Sequence, residues 1–348
     1  MALLFADSFD HYGSGSNGGA RMLSSGAYSQ GAGNSNFAPA STIPGRTGPL
    51  ALYSSTGSTL NTERLIAGPH QTVGVGYAFY QTTLRTSSGM MMRGAGNTVL
   101  IGVRTNLDGS LSVVRNNTTL ATATVIAMTA PGVISSSAWH HVELKVTIDE
   151  VAGAFELRIN GETELAMSNI NLGNTHISRV ALTNGNNSEA FDDLIVWNDQ
   201  GDAPNNFVGP ARVITTFPDA DTAVADFTVN GAANGYQCIN QIIEDGDITY
   251  IEGVNPNDAS EFELGTLPPE TEGIVGVFVP ALAKLSDAGT GDLKVSIMSG
   301  ASEAVGFNGP LTQAYTYRDS SFSVDPDTGS AWNKSALEAA RLRFEKTA

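Results

Sequence analysis

The sequence predicts an all-β chain of two domains, and three observations carry that expectation. Its 348 residues exceed what one hydrophobic core ordinarily fills. Its 38 glycines, its runs of Ser, Thr and Asn, and a charged fraction of only 15% suit many short strands joined by turns. Its apolar side chains, 41% of the total, recur with a period of two where a regular pattern is visible. The expected architecture is an N-terminal β-sandwich over residues 1–208 and a smaller C-terminal β-sandwich over 209–348 with a short helix near its end.

Leu3 to Phe9 reads as a short first strand. His11 to Asn36 is rich in Gly, Ser and Asn, buries little, and reads as a long loop. Such a loop is either surface disorder or an arm that orders against a neighbouring subunit. From Leu50 to Leu120, apolar segments follow at hairpin spacing: Thr72 to Tyr80, Thr98 to Thr105 and Ser110 to Arg115. Asn106-Leu107-Asp108-Gly109 separates the last two, and Asp-Gly supplies the positive φ of a tight turn, so they should form a hairpin.

After Trp139, Val142, Leu144, Val146 and Ile148 alternate with Glu143, Lys145 and Thr147, which predicts a strand with one buried face. A loop around Gly153 leads into a second alternating strand, Phe155 to Ile159, and Asn160-Gly161 then marks a hairpin turn. Phe191 to Trp197 reads as the last strand of the first domain, and the polar segment Asn198 to Pro210 as the linker. Beyond it, strands are expected at Gly273 to Val279, Leu293 to Ile297 and Tyr315 to Tyr317. Ser335-Ala336-Leu337-Glu338 has the form of a capping box and predicts a brief helix. No repeat of fixed period is visible.

Eighteen basic against thirty-five acidic side chains give a net charge of −17, which repels phosphate backbones and anionic lipid and argues against nucleic acid as a partner. The single Cys238 forms no intrachain disulfide, which suits folding in a reducing cytosol. Met1 to Phe9 has no basic n-region and reaches Asp7 before an apolar stretch develops, so no secretion signal is expected. No apolar run approaches the ~20 residues of a membrane span, so a soluble protein without membrane insertion is expected.

Trp139-His140-His141-Val142-Glu143-Leu144, the strand ending in Asn160-Gly161, and Phe191-Asp192-Asp193-Leu194-Ile195-Val196-Trp197 resemble the laminin-G-like, concanavalin-A-like jelly rolls over roughly residues 1–208. The opening Leu4-Phe5-Ala6-Asp7-Ser8-Phe9-Asp10-His11-Tyr12 is similar to the start of tailed-bacteriophage virion proteins that carry this domain. Glu244 to Ile251 and Asp325 to Trp332 resemble segments of the module that follows it in such proteins. The resemblance implies a virion structural protein assembled in the bacterial host cytoplasm, with other virion proteins and copies of itself, as a trimer or ring, for partners. It does not fix the place within the particle. Tail or tail fibre, with host-surface glycan contact as an extra duty, is the preferred reading; a head-decorating protein, or a carbohydrate-binding adhesin outside any virus, is the alternative.

His140 and His141 are adjacent in a strand, point to opposite faces, and cannot chelate one ion together. Asp192 and Asp193 precede a buried strand. In laminin-G-like folds such acids sometimes hold calcium at the sandwich rim, but more often such a pair caps the preceding loop through backbone N–H groups, and no full set of six to eight oxygens is visible here. Asp245-Gly246-Asp247 resembles an acidic turn that can bind calcium in discoidin-like sandwiches, and it also reads as a plain turn. No other cofactor is expected. Glycoside hydrolysis needs two carboxyls across a cleft. The nearest candidates, Glu162 and Glu164, follow a hairpin turn without flanking aromatics and suit a solvated strand edge. Gly-x-Ser-x-Gly, Walker and His-Glu-x-x-His motifs are absent, so no catalytic residue is assigned. Candidate sugar platforms are Tyr53, Tyr77, Tyr80, Trp139 and Trp197, with core or hairpin packing as the competing role for each.

Overall fold

The computed structural model describes residues 2–29, 37–54, 61–184, 189–201, 206–287 and 289–348. The parts of the expected loop and linker at 30–36 and 202–205 lie outside the described residues. The chain is nearly all β and divides into two compact units, the first reaching Ile214 and the second running from Thr215 to Ala348.

The first unit begins with β1 (Leu3–Asp7), a 3-10 turn (Asp10–Tyr12) and α1 (Gly15–Ser24). There follow β2 (Phe37–Ala40), β3 (Ala51–Ser54), β4 (Asn61–His70), β5 (Thr72–Gln81) and β6 (Gly89–Arg93). Next come β7 (Val99–Thr105), β8 (Leu111–Arg115), β9 (Thr124–Met128) and β10 (Trp139–Thr147). Last are β11 (Gly153–Ile159), β12 (Glu162–Ile170), β13 (Ile177–Thr183) and β14 (Glu189–Asn198). They make two sheets, one ordered β12-β11-β10-β5-β14-β3-β2 with β1 added on β14, the other ordered β4-β13-β6-β7-β8-β9.

Side-chain parity builds the core between them. Val142, Leu144 and Val146 stand opposite Tyr77, Val75 and Val73 on one side and Ile159, Leu157 and Phe155 on the other, a continuous buried apolar face. In the second sheet, Val180, Met92 and Ile101 form one inward row and Leu182, Met90, Val103 and Val113 the next. Its other face, through Met91, Val114 and Ala181, is capped by Leu120 and Ala123. The β7–β8 hairpin forms at Asn106 to Gly109 as the turn chemistry requires, and Asn160 and Gly161 take φ of 52° and 93° between β11 and β12.

The stretch expected to be a loop from His11 departs from that expectation. Gly15–Ser24 is helical although its composition disfavours a helix, because tertiary contacts override propensity. Met22 is fully buried, and Arg21 Nη1 donates to the Tyr12 carbonyl. Nearby, the buried Asp7 carboxylate accepts from the hydroxyls of Tyr12 at 2.9 Å and Tyr28 at 2.8 Å and from the Phe9 amide. Burial and the Asp7 charge hold the Tyr28 hydroxyl well above its ordinary pKa, so it remains a donor.

The second unit contains β15 (Pro218–Ala225), β16 (Thr228–Asn230), α2 (Gly235–Ile239), β17 (Tyr250–Glu252), β18 (Ala259–Leu264) and β19 (Val277–Ala283). It ends with β20 (Asp292–Ser299), β21 (Ser302–Pro310), β22 (Thr316–Phe322), α3 (Lys334–Glu338) and β23 (Arg341–Lys346). A five-stranded sheet, β15-β18-β23-β20-β21, packs Phe262, Leu293, Val295, Leu342 and Phe344 against Ala281 of the β19–β22 pair. Two expectations are shifted. The strand placed at Gly273 starts only at Val277, and the terminal helix is capped by Asn333, whose side chain accepts from the Ala336 amide, rather than by Ser335.

Candidate functional site

The alternation along β10 predicts a solvent-facing side at His141 and Glu143, yet both are buried, at 2% and 0% exposure. The reason is that the chain covers the outer face of its own eight-stranded sheet. A strap, Phe207 to Val213, crosses it: the Val208 and Gly209 amides donate to Glu143 Oε1 at 2.9 and 3.2 Å, and the Val213 amide donates to Asp193 Oδ1 at 2.8 Å. The Arg158 guanidinium lies 3.9 Å from the centre of the Phe207 ring. A second cover comes from the loop before β3, where Arg46 Nη1 donates to Asp193 Oδ2 at 3.0 Å and to the Ala211 carbonyl at 2.8 Å. Arg46 thus ties loop, strand and strap together.

Asp192 and Asp193 are adjacent, yet both meet Arg46, because β14 carries a bulge between Asp192 and Ile195 with Asp193 at φ 51°. The bulge re-aims the second carboxylate. All four of their oxygens accept from protein N–H groups: Asp192 Oδ1 from the Asp193 amide, Asp192 Oδ2 from the Arg46 amide, Asp193 Oδ1 from Val213 and Asp193 Oδ2 from Arg46. Burial raises both carboxyls above the usual carboxylate range, and at Asp192 the charge of Asp193 adds to the rise. The pair therefore fastens remote loops.

His141 and Glu143 form a dry pair beneath the strap, with His141 Nδ1 4.0 Å from Glu143 Oε2. Among the described residues, both ring nitrogens of His141 and the second oxygen of Glu143 are buried without a hydrogen-bond partner. Burial, with the Arg46 charge secondary, lowers His141 to about 4, and burial pushes Glu143 up to about 7. Near neutral pH the imidazole is uncharged. His140, on the opposite face, is half-buried, and its Nε2 accepts from the Ser135 amide at 3.0 Å.

The candidate aromatics divide. Tyr77 and Trp197, each 1% exposed, belong to the interior. Trp197 lies so close over Gly74 that a Cβ there would meet its Cε2 at 2.1 Å. Trp139, Tyr80, Ala190 and Tyr53 instead stand in one row across four strands, with the Trp139 and Tyr80 rings 5.5 Å apart. The three aromatics are half-buried around Ile43.

In the second unit, Asp245 accepts from the Thr249 amide and hydroxyl and from Gln241, while Asp247 pairs with Lys284 at 2.7 Å and accepts from the Tyr315 hydroxyl at 2.8 Å. The two carboxylates serve different partners. Among the described residues no three His, Cys, Asp or Glu side chains group as a metal shell. Glu162 is exposed and Glu164 half-buried, both on β12, an edge of the eight-stranded sheet.

No family model matches the chain, and no curated protein matches it. Solved structures that resemble it include the carbohydrate-binding module CBM66 from Bacillus subtilis, at 12% identity and TM-score 0.33 over 46% of this chain and 90% of that one. The Caenorhabditis elegans galectin LEC-6 aligns at 9% identity and TM-score 0.30, covering 41% and 94%. A sialidase aligns at 9% identity and TM-score 0.35, covering 51% of this chain but 19% of its own. These likenesses concern fold alone, and the sandwich stands on its own strand pairing.

Sequence reasoning missed Arg46, Glu143 and the strap as parts of one cluster. The only signal for Glu143 was its place in an alternating strand, which points outward and gives no hint of a cover. Arg46 sits in a Pro-Gly-Arg-Thr-Gly-Pro stretch that reads as loop and nothing more.

Proposed function

We propose that this chain is a non-catalytic structural subunit of a tailed-phage particle, placed in the tail or its fibres and acting through the surfaces it offers to other subunits. The observation that supports a scaffold over an enzyme is the covered outer face of the large sheet. Its acids, Glu143, Asp192 and Asp193, accept from the strap and from Arg46 rather than facing a cleft. The similarity of Leu4 to Tyr12, Glu244 to Ile251 and Asp325 to Trp332 to virion proteins supports the particle assignment. The reading needs no resident cofactor, and calorimetric titration with calcium checks that point.

Counting copies in purified particles by quantitative mass spectrometry tests the reading. A few to some dozens per particle is the expected result; hundreds would move the chain to head decoration, and absence from particles overturns the assignment. A second reading, glycan contact, is favoured by the half-buried row of Trp139, Tyr80 and Tyr53, whose rings offer flat apolar area with polar tips. Glycan-array binding that Trp139→Ala abolishes supports it, and a silent array removes it.

A further inference from the structure

We propose that the loop between α2 and β17, residues 240–249, is a docking surface for a basic segment with apolar side chains contributed by another protein. Large apolar side chains exposed singly are ordinary on a protein surface, whereas a group of them marks a contact. Among the described residues of the second unit six stand exposed, and five of them, Val229, Ile242, Ile243, Ile248 and Val254, fall within residues 229–254. The three isoleucines are 56%, 48% and 72% exposed. Their backbone is nonetheless fastened. The Asp245 carboxylate accepts from the Thr249 amide at 3.1 Å, the Thr249 hydroxyl at 2.8 Å and Gln241 Nε2 at 3.2 Å, and Asp247 is held by Lys284 and Tyr315. The Ile248 carbonyl stands where a Cβ on Gly231 would be, which sets Ile248 against the end of the β16 strand that carries Val229. These ties order the loop without covering its isoleucines.

Charge selects the occupant. Residues 215–283 hold twelve Asp and Glu and no Lys, Arg or His. Lys284, which ends that run, is already taken by Asp247 at 2.7 Å. Asp226 and Asp245 accept from neutral donors, the Ala259 amide for the first and Thr249 and Gln241 for the second, so their charges stand uncompensated. Glu252, opposite Thr228 in the β16–β17 register, adds an acid beside Val229. Apolar side chains set among acids complement lysine or arginine interleaved with apolar residues. A second copy of the chain would bring a net charge of −17 to the encounter, and anionic lipid and nucleic acid are repelled in the same way. The inference deepens the proposed assembly role and rests on it only for the partner being another virion subunit, while its test needs the isolated chain alone.

The probe is a fluorescein-labelled synthetic peptide of alternating lysine and leucine, titrated with the full chain and followed by anisotropy. It should bind, and more weakly as salt is added, because screening reduces the attraction. The double variant Ile242→Ser/Ile248→Ser leaves the net charge as it is and should bind at least about tenfold more weakly with an unchanged melting temperature. A peptide with serine in place of leucine should lose a similar factor on the wild-type chain. No binding, or equal affinity for the wild-type and serine-substituted chains, overturns the proposal, the latter because charge alone would then account for the binding. Should the serine variant fold poorly, Asp226→Asn/Glu252→Gln keeps the size and acceptors of both side chains and should weaken binding at least about threefold, and unchanged affinity overturns it. Sedimentation velocity and flotation with phosphatidylcholine vesicles cover the other occupants: a dimer or a vesicle-bound chain that the two serines release overturns the proposal in favour of a second copy or a lipid surface. Peptide binding by a chain absent from particles would remove the virion reading alone, and a chain found in particles that ignores the peptide would remove this inference alone.

Discussion

The dry pair beneath the strap should make the first unit respond to pH in opposite directions when its members are replaced one at a time. Glu143 rises from 4.5 to about 7 on burial, so it stabilises the folded unit fully below pH 4.5, and that contribution is lost as pH climbs through 7. His141 falls from 6.5 to about 4, so its contribution is present above pH 6.5 and lost as pH drops toward 4. Each displacement corresponds to about 3 kcal/mol. Between pH 4.5 and 6.5 the two cancel, because the exposed pair holds its one proton on the histidine and the buried pair holds it on the glutamate. Glu143→Gln should gain stability relative to wild type by about 3 kcal/mol as pH goes from 4.5 to 8, and His141→Gln should gain a similar amount as pH goes from 6.5 to 4. Urea unfolding followed by tryptophan fluorescence in a Trp332→Phe background, which leaves Trp139 and Trp197 of the first unit as reporters, measures both difference curves. Difference curves that are flat, or that slope the same way, would refute the reasoning.

Arg46→Ala should destabilise the first unit by about 3–5 kcal/mol, because it leaves the buried Asp193 carboxylate without its cation, and chemical denaturation reads the loss directly. Gly74→Ala should cost about 1–3 kcal/mol and change the emission of Trp197, since no room exists for the methyl group against the indole. Tyr28→Phe removes one of the two hydroxyls on Asp7 and should lower stability by about 1–2 kcal/mol, with earlier proteolytic cutting of α1 as the local readout.

The strands legible in the sequence are those whose two faces differ or whose turns carry a local signature. β10 and β11 alternate, Asp108-Gly109 and Asn160-Gly161 fix φ, and both hairpins follow. What the sequence hides is set by distant partners. The helix at Gly15 exists because Met22 has a core to enter, and the 3.6-residue pattern that would announce it is diluted by glycine. The convergence of Asp192 and Asp193 depends on a bulge that adjacency alone would rule out, and the burial of Glu143 depends on amides 65 and 66 residues away. The aromatic row at Trp139 needs the register of four strands before its members can be seen as neighbours.

The strap also has a bearing on how the chain matures during synthesis. β1 pairs with β14 through Leu3 and Trp197, and the amides that satisfy Glu143 and Asp193 arrive only at Val208, Gly209 and Val213. β1 must therefore wait for nearly the whole first unit before it finds its neighbour, which makes closure slow. A nascent chain halted short of residue 208 would expose raw carboxylates and a bare sheet surface, a form that invites clumping until translation resumes.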